Sequence, residues 1–233
     1  GEEFHMDPGQ NVQGKIVTAL YNLGADVVLD TNYTADLVIM EEGTELMNRL
    51  KNKDTLPLMT SCSPGWVNFV EKYYPEMLDN ISSTRSPQQC FGAIAKTYLA
   101  EKMEVDPRRV RVVSIMPCTA KKEEAKRPEM QRDGVPDVDV VLTTREFARL
   151  LKREGLWLPG LEDGNYDNYW MGQYSGAAEI FGTTGGVMEA ALRTVYFTVK
   201  GEELPRIEFE EVRGYENIRE AEVDLGKEFG VLK

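Results

Sequence analysis

The chain has 233 residues, with 27 Lys and Arg against 39 Asp and Glu, a formal net charge of −12. A surface this acidic repels phosphate backbones, which argues against nucleic acid as a partner, and 42% apolar with 28% charged residues is a globular rather than a disordered composition. No stretch reaches the ~18–20 apolar residues of a membrane span, no charged-then-apolar leader opens the chain, and three cysteines make no disulfide framework, so a reducing, cytoplasmic setting is expected.

The elements alternate. Asn11 to Leu23 carries apolar residues at a helical period and stops at Gly24. Ala25 to Leu29 is a short branched run that reads as a buried parallel strand. Ala35 to Leu50 reads as a helix, acidic early and basic near its end, as the helix dipole favours. Leu56 to Thr60 reads as a strand, Pro64 opens a helix over Trp66 to Tyr74, and Pro87 opens another as far as Met103. Val110 to Met116 is the clearest strand, and Val138 to Leu142 is the next. Thr144 is the expected cap of a helix through Leu151, with Gly155 as its stop. Gly160 to Gly176 lacks periodicity and reads as an irregular loop. Gly186 to Lys200 reads as a helix ending at Gly201, and the alternating last thirty residues read as strands whose end at Lys233 suggests truncation. Strands alternating with helices imply an α/β fold with parallel sheet. The turn at Asp106-Pro107-Arg108-Arg109 suggests two lobes, 1–108 and 109–233.

Ligand crevices in open α/β sheets lie beyond the carboxyl ends of strands. Two of the three cysteines fall there: Cys62 in Thr60-Ser61-Cys62-Ser63-Pro64-Gly65-Trp66, and Cys118 after Met116-Pro117. Either cysteine alone is better explained as a small buried hydrophobe, but two at equivalent strand-to-helix turns raise the case for function. Cys90 lies on an apolar helix face with Phe91 and Ile94 and reads as core. Lys121 opens a helix against the dipole preference, so it either joins a solvated charge run or turns inward to meet an anion. Gly182-Thr183-Thr184-Gly185-Gly186 is either a tight turn or, less specifically, an anion-binding nest. Glu42 and Glu45 share a helix face, with Arg49 one turn beyond Glu45. Spacing alone leaves open whether that line carries protons or decorates a surface.

Taken together, TSCSPGW, MPCTAKKEEAKRPEM and FGTTGGVMEAALRT, with IMEEGTEL, SPQQ and DVDVVLTTREFARLL between them, resemble the H-cluster domain of iron-only (FeFe) hydrogenases. The resemblance runs almost continuously along the chain. It implies two lobes, each with a parallel sheet flanked by helices, and reversible reduction of protons to dihydrogen. The implied cofactor is the H-cluster, a 4Fe-4S cubane joined through one cysteine to a diiron subcluster. The implied electron donor is ferredoxin or a partner iron–sulfur subunit, and the resemblance also implies other hydrogenase subunits as candidate partners. By the resemblance, Cys118 is a cubane ligand and Lys121 hydrogen-bonds a cyanide of the diiron centre. Met116, Phe181 and Gly182 line the diiron pocket. Cys62, Glu42, Ser82, Glu45 and Arg49 form a proton relay, and thiol, hydroxyl and carboxylate are suitable donors and acceptors for stepwise transfer.

Three departures from the family pattern matter. Ser63 stands at a second cubane-ligand position, where an alcohol is a poor substitute for the thiolate that iron selects. The third motif, with two further cysteines, does not occur within the sequence, nor does the upstream segment that meets the diiron site. His5 stands where a glycine is common. The ligand count therefore implies that this polypeptide does not hold the cubane unaided. The rival to a catalytic domain is a hydrogenase-like scaffold or sensor without the cluster. A thiol enzyme built on Cys62 or Cys118 is disfavoured, with His5 the one imidazole in the sequence. Docking of an acidic ferredoxin would need a local basic patch, for which Arg108, Arg109, Arg111, Lys122 and Lys126 are candidates.

Overall fold

A computed structural model describes residues 2–167, 170–207, 209–215 and 218–232. The helices are α1 (Gln13–Asn22), α2 (Asn32–Asn52), α3 (Pro64–Tyr73), α4 (Pro87–Ile94), α5 (Ala100–Lys102), α6 (Lys121–Glu124), α7 (Thr144–Arg153) and α8 (Gly186–Lys200). The strands are β1 (Val113–Met116), β2 (Gln131–Arg132), β3 (Val135–Pro136), β4 (Val140–Thr143), β5 (Glu210–Glu211), β6 (Arg219–Glu220), β7 (Val223–Asp224) and β8 (Val231–Leu232). The chain divides into two units, Gly1–Thr34 with Arg85–Tyr174, and Ala35–Thr84 with Ser175–Lys233. They interleave along the sequence, and the expected boundary at 108/109 falls inside the first. Pro107–Arg109 is a 3-10 turn, but Val112 just beyond it packs against Ala95 and Leu99.

In the first unit, β1 and β4 pair in parallel, in register from Val113 with Val140 to Met116 with Thr143. A parallel pair needs a long crossover, and residues 117–139 supply it with α6 and the β2–β3 hairpin. The expected strand at Val138 to Leu142 begins two residues later, because the Asp139 carboxylate is occupied in accepting the Val112 amide at 2.8 Å. Helix α7 is capped by Thr143 rather than Thr144. The Thr143 hydroxyl accepts the Glu146 amide at 3.1 Å and the Glu146 carboxylate accepts the Thr143 amide at 2.8 Å, a capping box. Buried Phe4, Ala19, Phe147, Leu151 and Leu158 form the core between α1 and α7.

The helix opened by Pro87 runs on through a π turn, Ala95–Leu99, into α5. The buried Lys96 ammonium in that turn donates to the Pro136 carbonyl and the Asp139 carboxylate, both at 2.6 Å. Gly92 permits this packing, since a Cβ there would lie 2.3 Å from the Asp137 carbonyl oxygen. Ala25 to Leu29 is not a strand. The Val28 amide donates to the Asp167 carboxylate at 2.7 Å and the Val28 carbonyl accepts the Asp167 amide at 2.9 Å, so a loop residue satisfies the backbone where a neighbouring strand was expected. The described part of 160–176 is irregular, as expected; residues 168 and 169 lie outside the described residues.

In the second unit, the strand expected at Leu56 to Thr60 contracts to one parallel bridge between Met59 and Ile81. Met59 donates to Asn80 and accepts from the Ser82 amide, both at 2.7 Å. Each unit therefore contains parallel pairing among helices, and the fold is α/β. Helix α8 begins at Gly186, where a Cβ would lie 1.7 Å from the Ile180 carbonyl oxygen. Its cap is Gly185 rather than Thr184, and the Thr183 and Gly186 amides are used within the turn, which favours the plain turn over the nest. Val195 of α8 packs with Val223 and Leu225, and with Leu46 and Met47 of α2. The strands expected near the end of the sequence shorten to two antiparallel pairs, β5 with β6 and β7 with β8; residues 208, 216, 217 and 233 lie outside the described residues.

Candidate proton relay and cysteine turns

Helix α2 places Glu42, Glu45 and Arg49 three and four residues apart, hence along one stripe. The Met59–Ile81 bridge sets Ser82 and Ser83 against that stripe. One Glu45 carboxylate oxygen accepts the Ser82 hydroxyl at 2.8 Å and the Ser83 amide at 3.1 Å. The other accepts two Arg49 nitrogens, at 2.6 and 3.0 Å. Arg49 is itself anchored by three backbone carbonyls: Thr55 at 2.9 Å, Asp79 at 2.8 Å and Ile81 at 3.2 Å. Partial burial opposes ionisation of Glu45, but the Ser82 hydroxyl, the Arg49 guanidinium and the Ser83 amide outweigh it and hold the carboxyl below its ordinary value.

Glu42, one turn earlier, is only 3% exposed, and neither of its carboxylate oxygens has a partner at hydrogen-bonding geometry among the described residues. Burial pushes its carboxyl up to about 7, with the Glu45 charge adding to the rise; the Ser61 backbone and the Ser82 hydroxyl are near enough to oppose it. Cys62, next to Ser61 in the chain, is half-buried. The outer end of the stripe opens on a polar cavity of about 340 Å³ lined by Glu45, Arg49, Asn48, Asp54 and Ser83. Of the expected relay residues, the structure thus joins Ser82, Glu45 and Arg49 by direct hydrogen bonds and sets Glu42 beside them. Ser83, which the sequence reading passed over, also binds Glu45, and the doubled serine in ISSTRSPQQ is the only signal that could have marked it.

The other candidates lie in turns. Ser63 is exposed and caps α3, its hydroxyl accepting the Trp66 amide at 3.5 Å with Pro64 in the first turn. Phe181 and Gly182 end the 3-10 turn Ala177–Gly182 of the second unit. In the first unit, Met116 is half-buried at the end of β1 and Cys118 is exposed just beyond it. Lys121 is buried, which settles its orientation away from a solvated charge run. Its ammonium meets both Glu124 oxygens, at 3.0 and 3.1 Å. Cys90 donates to the Arg85 carbonyl at 3.3 Å. In the basic patch, Arg108 pairs with Asp106 and Lys122 with Glu146, which neutralises much of it.

The model of the iron-only hydrogenase large subunit, C-terminal domain, matches residues 1–232. The chain belongs to that family. It is 51% identical over 97% of its length to iron hydrogenase 1 of Clostridium pasteurianum, covering 39% of that protein. It is 50% identical over 97% of its length to the NADP-reducing hydrogenase subunit HndD of Solidesulfovibrio fructosivorans, covering 40% of it. It is also 32% identical over 98% of its length to the cytosolic iron-sulfur assembly component 3 of Pongo abelii, covering 49% of it. Among solved structures, an apo FeFe-hydrogenase from Chlamydomonas reinhardtii superposes with a TM-score of 0.83 at 42% identity, over 95% of this chain and 56% of that one. The chain thus spans about two-fifths of the length of the first two curated relatives it matches.

The family's iron cofactor poses a test of donor chemistry. A cubane takes about four thiolates; the sequence has three cysteines, one of them donating to the Arg85 carbonyl, and Ser63 serves as the cap of α3. Among the described residues no three His, Cys, Asp or Glu side chains gather as a metal site. The residues present do not fit a complete cubane.

Proposed function

We propose that this chain supplies the proton-delivery side of a site that reversibly reduces protons to dihydrogen, with electrons arriving from ferredoxin or a partner iron–sulfur subunit. The observation that carries the reading is the line of Arg49, Glu45, Ser82 and Glu42 leading inward from the polar cavity. Glu45, kept ionised by Ser82, Ser83 and Arg49, accepts a proton from water in the cavity. The Ser82 hydroxyl passes a proton inward as it accepts one from Glu45, so no net charge rests on the serine. Glu42, poised near neutrality, holds the proton and gives it to the Cys62 sulfur as that thiol hands its own proton onward. Each hop makes one O–H or S–H bond as it breaks another. The redox chemistry belongs to the iron group, for which the resemblance makes Cys118 the expected cubane ligand and Lys121 an expected neighbour.

The test is hydrogen evolution by the protein at its full natural length, matured with its iron cofactor. Glu42→Gln is expected to lower the rate by about 10²-fold or more at unchanged iron content, within the range that general acid–base groups contribute. Near-wild-type evolution by Glu42→Gln would contradict the relay. A second reading, a scaffold or iron–sulfur assembly factor without hydrogen chemistry, is favoured by Ser63 and by the 32% identity to an assembly component. Wild-type protein silent in the same assay, with Ser63→Cys also silent, would select it.

A further inference from the structure

Glu124 lies outside the relay, yet it is a buried carboxylate of the first unit with three hydrogen-bonding partners. It is 4% exposed. One oxygen accepts the Ser86 hydroxyl at 3.0 Å, the Gln88 side-chain amide at 3.4 Å and the Lys121 ammonium at 3.0 Å; the other accepts the same ammonium at 3.1 Å. Ser86 also caps α4, and the Gln88 amide reaches the Lys121 carbonyl at 3.3 Å while its oxygen accepts the Ser114 hydroxyl of β1 at 2.8 Å. Three elements, β1, α4 and α6, therefore converge on one buried pair. A four-residue helix has no stability of its own, so the conformation of α6, three residues after Cys118, depends on these contacts.

We infer that Glu124 is the positioning residue for Lys121: held in place by Ser86 and Gln88, its carboxylate fixes the ammonium on the turn that carries Cys118. The buried carboxylate is paired with the ammonium and accepts hydrogen bonds at both oxygens, which favours its tolerating removal from water. The geometry goes beyond anchoring of α6, because the lysine head group itself is the shared ligand of both carboxylate oxygens. A long, flexible side chain that would otherwise sample many rotamers is reduced to one placement. The inference rests on the proposed function for its purpose, since Lys121 has a role there only by the resemblance, but its geometry stands without any cofactor.

The experiment is native-state acylation of the chain with acetic anhydride, followed by peptide mass spectrometry, with exposed Lys126 as the internal standard. In the wild type, Lys121 is expected to react well below Lys126. Glu124→Gln keeps the shape and the acceptor for Ser86 but loses the charge, and should raise Lys121 acylation about tenfold while leaving Lys126 and the circular dichroism unchanged, as a local release does. Ser86→Ala, which frees one side of the carboxylate, should give a smaller rise, and Glu124→Asp should restore part of the protection. An unchanged Lys121 rate in Glu124→Gln would overturn the inference. If Glu124→Gln does not fold, the Ser86→Ala rate decides in the same sense: a rise confined to Lys121 supports positioning, and no rise refutes it. Because acylation is read without iron, its outcome is independent of whether the protein evolves hydrogen.

Discussion

Glu42 and Glu45 stand one turn apart on α2 in opposite electrostatic surroundings: the first is buried without a hydrogen-bonded partner for either oxygen among the described residues, the second accepts bonds from Ser82, Ser83 and Arg49. Their carboxyls are pushed in opposite directions, Glu42 up to about 7 and Glu45 below the ordinary range. That contrast is a stability signature.

The folded value of Glu42 lies above its ordinary 4.5, so between the two the folded protein binds more protons than the unfolded one. Stability from this group is therefore greatest at or below pH 4.5 and falls as pH rises toward 7, by on the order of 3 kcal/mol in full. Glu42→Gln is expected to remove that decline, measured as urea unfolding between pH 5 and 8. Glu45 acts in the reverse sense: its contribution is present above the ordinary carboxylate value and is lost as pH falls through its depressed one.

Arg49→Lys keeps a positive charge but not the planar fork that reaches Glu45 and three carbonyls at once. One ammonium has three donors for four acceptors and leaves at least one of them without its partner, a cost of about 1–3 kcal/mol. The expected result is a lower urea midpoint with an unchanged denaturant slope.

Ser63 has a structural task in this chain, the cap of α3. Ser63→Ala should cost about 1 kcal/mol or less, given the long 3.5 Å bond, while Ser63→Gly should cost only a few tenths. Equal losses for alanine and glycine in chemical unfolding would show that the hydroxyl is not capping.

Leu151 is fully buried in the core of the first unit. Leu151→Ala is expected to destabilise by about 2–5 kcal/mol. A loss under 1 kcal/mol in urea unfolding would mean that the core between α1 and α7 is looser than its burial indicates.

What the sequence made legible follows the range of the forces involved. Helices with local start and stop signals, such as α1 before Gly24, α3 after Ser63-Pro64 and α8 before Gly201, lie where the pattern put them. The branched run at Ala25 to Leu29 misled because a strand exists only if a partner does, and Asp167, some 140 residues on, takes that place instead. Thr143 and Thr144 are equivalent by propensity; the glutamate three residues after Thr143 breaks the tie, a signal present in TTRE. The division at 34/35, 84/85 and 174/175 was invisible, since it is made by long-range contacts and no change of composition marks it. In the candidate site, the line from Glu42 to Arg49 was legible from spacing and resemblance. The role of Glu124 was not, because Glu123 and Glu124 look alike until one is exposed and the other buried.

The central claim, that Glu42 is a neutral-range proton carrier, is tested most directly by infrared titration of the protonated carboxyl band, wild type against Glu42→Gln. The account predicts a difference band that disappears with a midpoint near pH 7, as burial of this carboxyl requires. A difference band titrating near 4.5, or none between pH 5 and 8, would contradict it.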